Sequence, residues 1–189
     1  MEFEPGNYYH IYNRGINKQK IFFSKGNYEY FLRKIRVYIV PHCDLLSYCL
    51  MPNHFHFLIY ANETTGLLVD NSSLLPINAL GEGIRMLLSS YAKAINKQER
   101  RTGNLFQQKT RSKCLNSIEL KAGSLSNSSL YEEDCFNYIH FNAVKAGLVE
   151  RPEDWPYSSY RDYALRANDS LCNIELGVRL FGLRDFKLV

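Results

Sequence analysis

Residues 43–61 read Cys43-Asp44-Leu45-Leu46-Ser47-Tyr48-Cys49-Leu50-Met51-Pro52-Asn53-His54-Phe55-His56-Phe57-Leu58-Ile59-Tyr60-Ala61. Two apolar runs of strand length, 43–50 and 54–61, flank Met51-Pro52-Asn53, which suits a short hairpin turn. Side chains alternate across a strand, so His54 and His56 share one face of the sheet. Phe55, Phe57 and Ile59 point the other way, into a helical layer.

Working outward, residues 8–14 read as a strand of aromatic and β-branched residues ended by Gly15. Residues 27–40 predict a helix, with Asn27 as its cap, Tyr30, Phe31, Lys34, Ile35 and Tyr38 at helical spacing, and Pro41 as its stop. Past the hairpin, 62–78 is turn-rich and reads as a loop. Helix 79–98 carries the apolar stripe Leu80, Ile84, Leu87, Leu88, Tyr91 and Ile95. Residues 105–114 read as a polar fourth strand, 116–130 as a second loop, and 131–146 as a helix ended by Gly147. The order β-α-β-β-α-β followed by an extra helix predicts an α+β fold. It would be a ferredoxin-like (RRM-like) antiparallel sheet with helices on one face and a site on the open one. Residues 1–165 are expected to form one domain and 166–189 a carboxy-terminal extension.

The composition narrows the function. At 189 residues, with 46% apolar and 22% charged residues, one buried core is expected and wholesale disorder is excluded. No apolar run is long enough to cross a bilayer. Met1-Glu2-Phe3-Glu4-Pro5 lacks the basic and apolar regions of a signal peptide, so a cytoplasmic protein without membrane contact is expected. Five cysteines without a CxxC pair point to reduced thiols, not to a disulfide framework or zinc finger. Residues 1–113 hold 15 Lys and Arg against 8 Asp and Glu, whereas 114–189 hold 8 against 11. A basic front two-thirds points weakly to a polyanion.

Two imidazoles side by side on a sheet can hold one cation, but two ligands do not complete a site. Tyr138 and Asn142 lie four apart on one face of the predicted third helix, with Lys145 a turn further on. That face offers a phenol, a carboxamide and an ammonium. His140 faces elsewhere and reads as structural or solvent-facing. His10 is within reach of a neighbouring strand and is read as structural. The stretch 93–113 holds Lys93, Lys97, Arg100, Arg101, Lys109, Arg111 and Lys113 against Glu99 alone, with Phe106, Gln107 and Gln108 among them. Basic groups neutralise phosphates, a phenyl ring stacks on a base and amides read base edges. A solvated helix face with a charged edge strand has the same composition.

Cys49–Ile59 resembles the metal-binding strand of the HUH single-tyrosine transposases, and Tyr138–Val149 resembles their nucleophile helix. The chain is most similar to the REP-associated tyrosine transposases. Tyr9-His10-Ile11-Tyr12-Asn13-Arg14-Gly15, Asn104-Leu105-Phe106-Gln107 and Asp154-Trp155-Pro156-Tyr157-Ser158-Ser159-Tyr160 also match that branch, so the likeness runs from about 8 to 163. Asn142-Ala143-Val144 departs from the usual Asn-Pro-Val, and the two loops are longer or less typical than the family pattern.

The resemblance implies that His54, His56 and Asn142 hold one divalent ion, Mg2+ or Mn2+, whereas imidazoles alone suit Zn or Ni better. It implies that Tyr138 attacks a phosphate of single-stranded or hairpin-forming DNA to give a 5′-phosphotyrosine. The protein would act as a monomer or homodimer, with Arg14, Phe106, Gln107, Lys145 and the basic stretch as DNA contacts. Two other readings use the same residues. One is a non-catalytic single-strand-binding domain, in which Tyr138 has no chemical role. The other is a metal-dependent phosphoesterase using water, which would need further His or carboxylate ligands.

Overall fold

The computed structural model describes residues 2–70, 77–116 and 129–182. Four strands form one antiparallel sheet: β1 (Tyr8–Arg14), β2 (Asp44–Met51), β3 (His54–Tyr60) and β6 (Arg111–Cys114). Their order is β2-β3-β1-β6. β1 and β3 are central, paired from Tyr8 opposite Tyr60 to Arg14 opposite His54. This is the predicted split arrangement, in which each helix-containing crossover skips over the strand that separates its ends. The expected loop 62–78 includes a small hairpin of β4 (Leu68–Asp70) and β5 (Ile77–Asn78), and residues 71–76 between them lie outside the described set. Most of the second expected loop, residues 117–128, also lies outside it.

α1 (Lys25–Tyr38) begins two residues earlier than the sequence suggests, because Ser24 is the N-cap. The Asn27 side chain instead accepts hydrogen bonds from the Phe23 and Ser24 amides at 3.0 and 3.1 Å, closing the first turn from inside. α2 (Ala79–Gln98) is capped by Asn78, whose side-chain oxygen accepts from Gly81 N at 2.7 Å. These two helices pack against each other, and their aromatic side chains lie over one face of the sheet. There Phe31 meets Phe55 at 5.4 Å and Tyr91 at 4.8 Å, with all three rings fully buried. Tyr91 donates its hydroxyl hydrogen to Ile21 O at 2.7 Å, so the one polar atom in that cluster is satisfied.

The other face is not bare, which corrects the expectation of a one-sided sheet. α3 (Ser129–His140) crosses β2 and β3 on that side. Phe136 is its anchor, packed on Tyr163 at 4.9 Å and Phe181 at 4.8 Å. Those partners come from α5 (Tyr160–Leu165) and α6 (Ile174–Phe181), so the chain through 181 shares the same core. The helix expected over 131–146 is broken. α3 ends at His140, Phe141 leaves helical geometry at φ −89 and ψ 7, and a short turn, α4 (Asn142–Lys145), restarts.

The outer edge of β2 is sealed by the segment after α4. Leu50 N donates to Tyr157 O at 2.9 Å, Ser159 N to Tyr48 O at 3.0 Å, and the Trp155 indole to Leu50 O at 3.0 Å. An apolar edge strand left open would invite pairing with other chains. The opposite edge, β6, is polar and shorter than the predicted 105–114. Leu105 and Phe106 turn into the core, and the buried Asn13 side chain donates to Gln107 O at 3.1 Å and Thr110 Oγ1 at 2.9 Å. The chain therefore arcs around Asn13 before it joins β1. Among the described residues no helix is long and apolar enough to cross a membrane.

Candidate active site

Alternation along β3 places His54 and His56 on the face opposite Phe55 and Phe57, as the sequence predicts. The two imidazole rings are 5.0 Å apart and edge-to-face. Pairing with β1 adds Tyr12 opposite His56 and Arg14 opposite His54. Pairing of β1 with β6 adds Arg111 opposite Tyr12 and Lys113 opposite His10. These neighbours open a cavity of about 310 Å3 lined by Tyr12, Arg14, His54, His56, Gln107 and Arg111, with Tyr138 as its wall from α3.

Tyr138 is 40% exposed, so its ring is open to an incoming group. It stands edge-on to His56, ring centres 5.5 Å apart, and Lys145 Nζ lies 5.3 Å from its own ring centre. Asn142 is buried at the start of α4 and hydrogen-bonds His54. The break at Phe141 therefore does not part the two groups: Tyr138 reaches the cavity from the last turn of α3, and Asn142 reaches His54 from the first turn of α4.

The histidines are held neutral. Burial is the main cause for each. It pushes His56 down to about 2, helped by His10, His54 and Arg14, and pushes His10 down to about 4, helped by Lys113. His54 is lowered by burial and Arg14, against the opposing effect of its bond to Asn142. Neutral imidazoles offer lone pairs, as cation ligands must. Among the described residues no group of three or more His, Cys, Asp and Glu side chains is placed to hold a metal ion. Any cation here would have to draw on Asn142 and on ligand oxygens besides the two histidines.

The structure divides the predicted DNA contacts. Arg14, Gln107 and Arg111 line the cavity, and Lys145 stands beside Tyr138. Lys93 and Lys97 are exposed on α2, which covers the opposite face of the sheet. Arg100, Arg101 and Lys109 do not line the cavity, and the Arg101 guanidinium is turned onto Asn104 O at 3.2 Å. Phe106 corrects the sequence reading. It is only 7% exposed and packs on Phe55 and Tyr91, so it has no free face for a base. His140 is structural: buried against Phe136, with Nε2 2.8 Å from Ser159 Oγ.

Two residues escape a reading of single motifs: Tyr12, which lines the cavity, and His10, which stands behind His56. His10 Nε2 lies 2.9 Å from His56 Nδ1, and Tyr12 turns an exposed ring into the cavity. The signal was present in β1, where His10, Tyr12 and Arg14 alternate onto one face. It becomes legible once β1 is known to lie beside β3.

No family model matches the sequence. A protein of Haemophilus influenzae, provisionally named a REP-associated tyrosine transposase, is 26% identical over 119 residues. That match spans 62% of this chain and 58% of the relative's length. The fold is similar to the solved structure of a REP-associated tyrosine transposase bound to a REP hairpin, with a TM-score of 0.58 over 90% of this chain and 87% of that one. At 15% identity that second likeness is one of fold.

Proposed function

We propose that this chain is a tyrosine transposase of the REP-associated type, which nicks and rejoins single-stranded or hairpin DNA through a covalent 5′-phosphotyrosine. The observation that carries the reading is the placement of Tyr138. A half-exposed phenol stands 5.5 Å from a neutral His56 in a cavity whose other walls include two arginines. A non-catalytic binding domain would give no role to that constellation. A water-using phosphoesterase would need ligands that the described residues do not gather.

In this reading Arg14 and Arg111 take the phosphates on either side of the scissile one, and Gln107 meets the strand as it leaves the cavity. Tyr138 Oη attacks phosphorus. The bond from phosphorus to the 3′ oxygen breaks, and the leaving strand departs as a 3′-hydroxyl after taking up a proton. The phenol's own proton passes to water or to a nearby base. In the second step a 3′-hydroxyl attacks the phosphotyrosine, releases Tyr138 and reseals the strand, so no nucleotide cofactor is consumed. Lys145 sits beside the Tyr138 ring, where its ammonium would hold a phosphate oxygen.

His54, His56 and Asn142 would hold one divalent cation. The two imidazoles alone suit Zn2+ or Ni2+, and it is the amide oxygen of Asn142, with the phosphate and water oxygens that would complete the site, that suits Mg2+ or Mn2+. When bound, such an ion polarises the scissile phosphate and offsets charge in the transition state.

The test is a hairpin oligonucleotide with a 3′ single-stranded extension, incubated with the protein and Mn2+ and run on a denaturing gel. A slow-migrating protein–DNA adduct is expected. It should vanish with a chelator and in Tyr138→Phe, while Tyr138→Phe still binds the DNA. Binding without any adduct would favour the non-catalytic reading, and cleavage without an adduct would favour water as the nucleophile.

A further inference from the structure

The hydrogen bonds behind His54 and His56 determine which ring nitrogen each can present. His54 Nδ1 lies 2.6 Å from Asn53 Oδ1. The orientation of that amide is anchored from its other end, since Asn53 Nδ2 donates to Lys18 O at 3.2 Å. The oxygen of Asn53 therefore faces His54, and an oxygen can only accept. The Asn142 amide also bonds this ring, but a neutral imidazole has one hydrogen, and the 2.6 Å contact to an anchored oxygen places it on Nδ1, with Nε2 as the lone pair.

The hairpin turn is clamped so that this arrangement holds. Gly15 N donates to Asn53 O at 2.8 Å, and Ile21 N and Phe22 N donate to Pro52 O at 2.8 and 3.1 Å. The intervening turn is tight. Asn17 and Lys18 sit in the left-handed region at φ 52 and 59, and a Cβ at Gly15 would collide with the Gln19 carbonyl. Unfavourable backbone at two adjacent non-glycine residues is retained where the surrounding structure over-determines it, and here it delivers the Lys18 carbonyl to Asn53.

His56 has a different backing. Its Nδ1 meets His10 Nε2 at 2.9 Å, with the two rings stacked 5.0 Å apart. One hydrogen lies between two neutral rings, and either could own it. The cavity in front of His56 is lined by Arg14 and Arg111. Their positive field favours a lone pair facing the cavity over an N–H dipole. His56 then keeps its hydrogen on Nδ1 and donates it to His10.

We propose that Asn53 and His10 are positioning residues, which fix His54 and His56 as the tautomers protonated on Nδ1 and so present both Nε2 lone pairs to one cation. This rests on the function proposed above only for what the lone pairs bind. Partners behind ligating histidines commonly change metal affinity by about 10–100-fold.

The experiment is 15N-resolved NMR of histidine-labelled, metal-free protein, followed by calorimetric titration with Mn2+. In the unsubstituted protein His54 and His56 should both show the protonated Nδ1 and bare Nε2 pattern. Asn53→Ala should turn His54 into a mixture of tautomers and weaken Mn2+ binding by about 10–100-fold. Asn53→Asp, which keeps an acceptor oxygen, should restore both. His10→Phe should do to His56 what Asn53→Ala does to His54. A hydrogen on Nε2 of either histidine in the unsubstituted protein would overturn the assignment for that residue, with no variant needed. A tautomer ratio unmoved in the variants would overturn the positioning roles. Failure of the unsubstituted protein to bind Mn2+ would count against the cation reading and leave the tautomer result to stand on the NMR alone.

Discussion

The two faces of β3 are built from alternate residues of one seven-residue strand, yet they obey different rules. On one side Phe55, Phe57 and Ile59 are almost completely buried, with Phe31 closing over Phe55 and Tyr91 packed behind Phe31. The phenol in that cluster, Tyr91, is held protonated by burial, and what matters is shape. On the other side His54 and His56 look into a cavity of about 310 Å3 with arginines in its wall, and what matters is where hydrogens and charges sit. A period of two makes this division possible, and it also makes it brittle. A slip of one residue in the pairing with β1 would send the phenyl rings into the cavity and the imidazoles into the core. The clamped Pro52-Asn53 turn and the sealed β2 edge both guard that register.

The comparison can be broken first on the dry face. Phe55→Ala should cost about 3–5 kcal/mol of unfolding free energy through lost burial and a cavity that cannot collapse, measured by denaturant unfolding. Its cleavage rate per folded molecule should change little by comparison. His54→Ala should show the reverse. We expect cleavage to fall by about 10²–10³-fold, or roughly 3–4 kcal/mol of transition-state stabilisation, while stability changes by about 1 kcal/mol or less. Equal losses of stability from both substitutions would mean that the histidine face is core as well.

The next contrast lies between the cavity arginines and the lysines of α2. Replacing Arg14 and Arg111 with Ala should reduce the slope of log affinity against log salt for single-stranded DNA by about 1.4, read by fluorescence anisotropy across a salt series. Replacing Lys93 and Lys97 should leave that slope nearly unchanged, because they lie on the far side of the sheet.

A smaller effect separates His140 from the cavity histidines. Burial alone pushes His140 down to about 3. The unfolded chain, with an ordinary pKa near 6.5, therefore takes up this proton first. The contribution of His140 to stability is constant above about pH 6.5 and declines as pH falls from there toward 3. His140→Gln should flatten the fall in thermal midpoint between pH 7 and 5 without altering the NMR signals of His54 or His56.

Much of this was legible in the sequence because it depends on local periodicity. The hairpin at 43–61, the shared face of His54 and His56, and the apolar stripe of α2 all follow from spacing alone. What was not legible depends on partners distant in sequence. The strand expected at 105–114 is cut to four residues by the side chain of Asn13, nearly a hundred positions away. Phe106 reads as a stacking ring inside a basic stretch, but the sheet pairs Gly15 with it and turns it into the core. α3 covers the second face because Phe136 finds Tyr163 and Phe181, the second of which lies in the stretch read as a carboxy-terminal extension. His10 reads as structural because a lone histidine in a strand carries no further signal until its neighbour His56 is known.

The central claim is that Tyr138 becomes covalently joined to DNA, and the cavity supplies its own control. Tyr12 lines the same space, opposite His56 in the pairing of β1 with β3, and its ring is similarly open. The most direct measurement is tandem mass spectrometry of the adduct formed on a hairpin oligonucleotide with Mn2+, digested to a single phosphonucleotide remnant. The account predicts the remnant on the peptide that holds Tyr138, and only there. A remnant on Tyr12 or on any other tyrosine would contradict it.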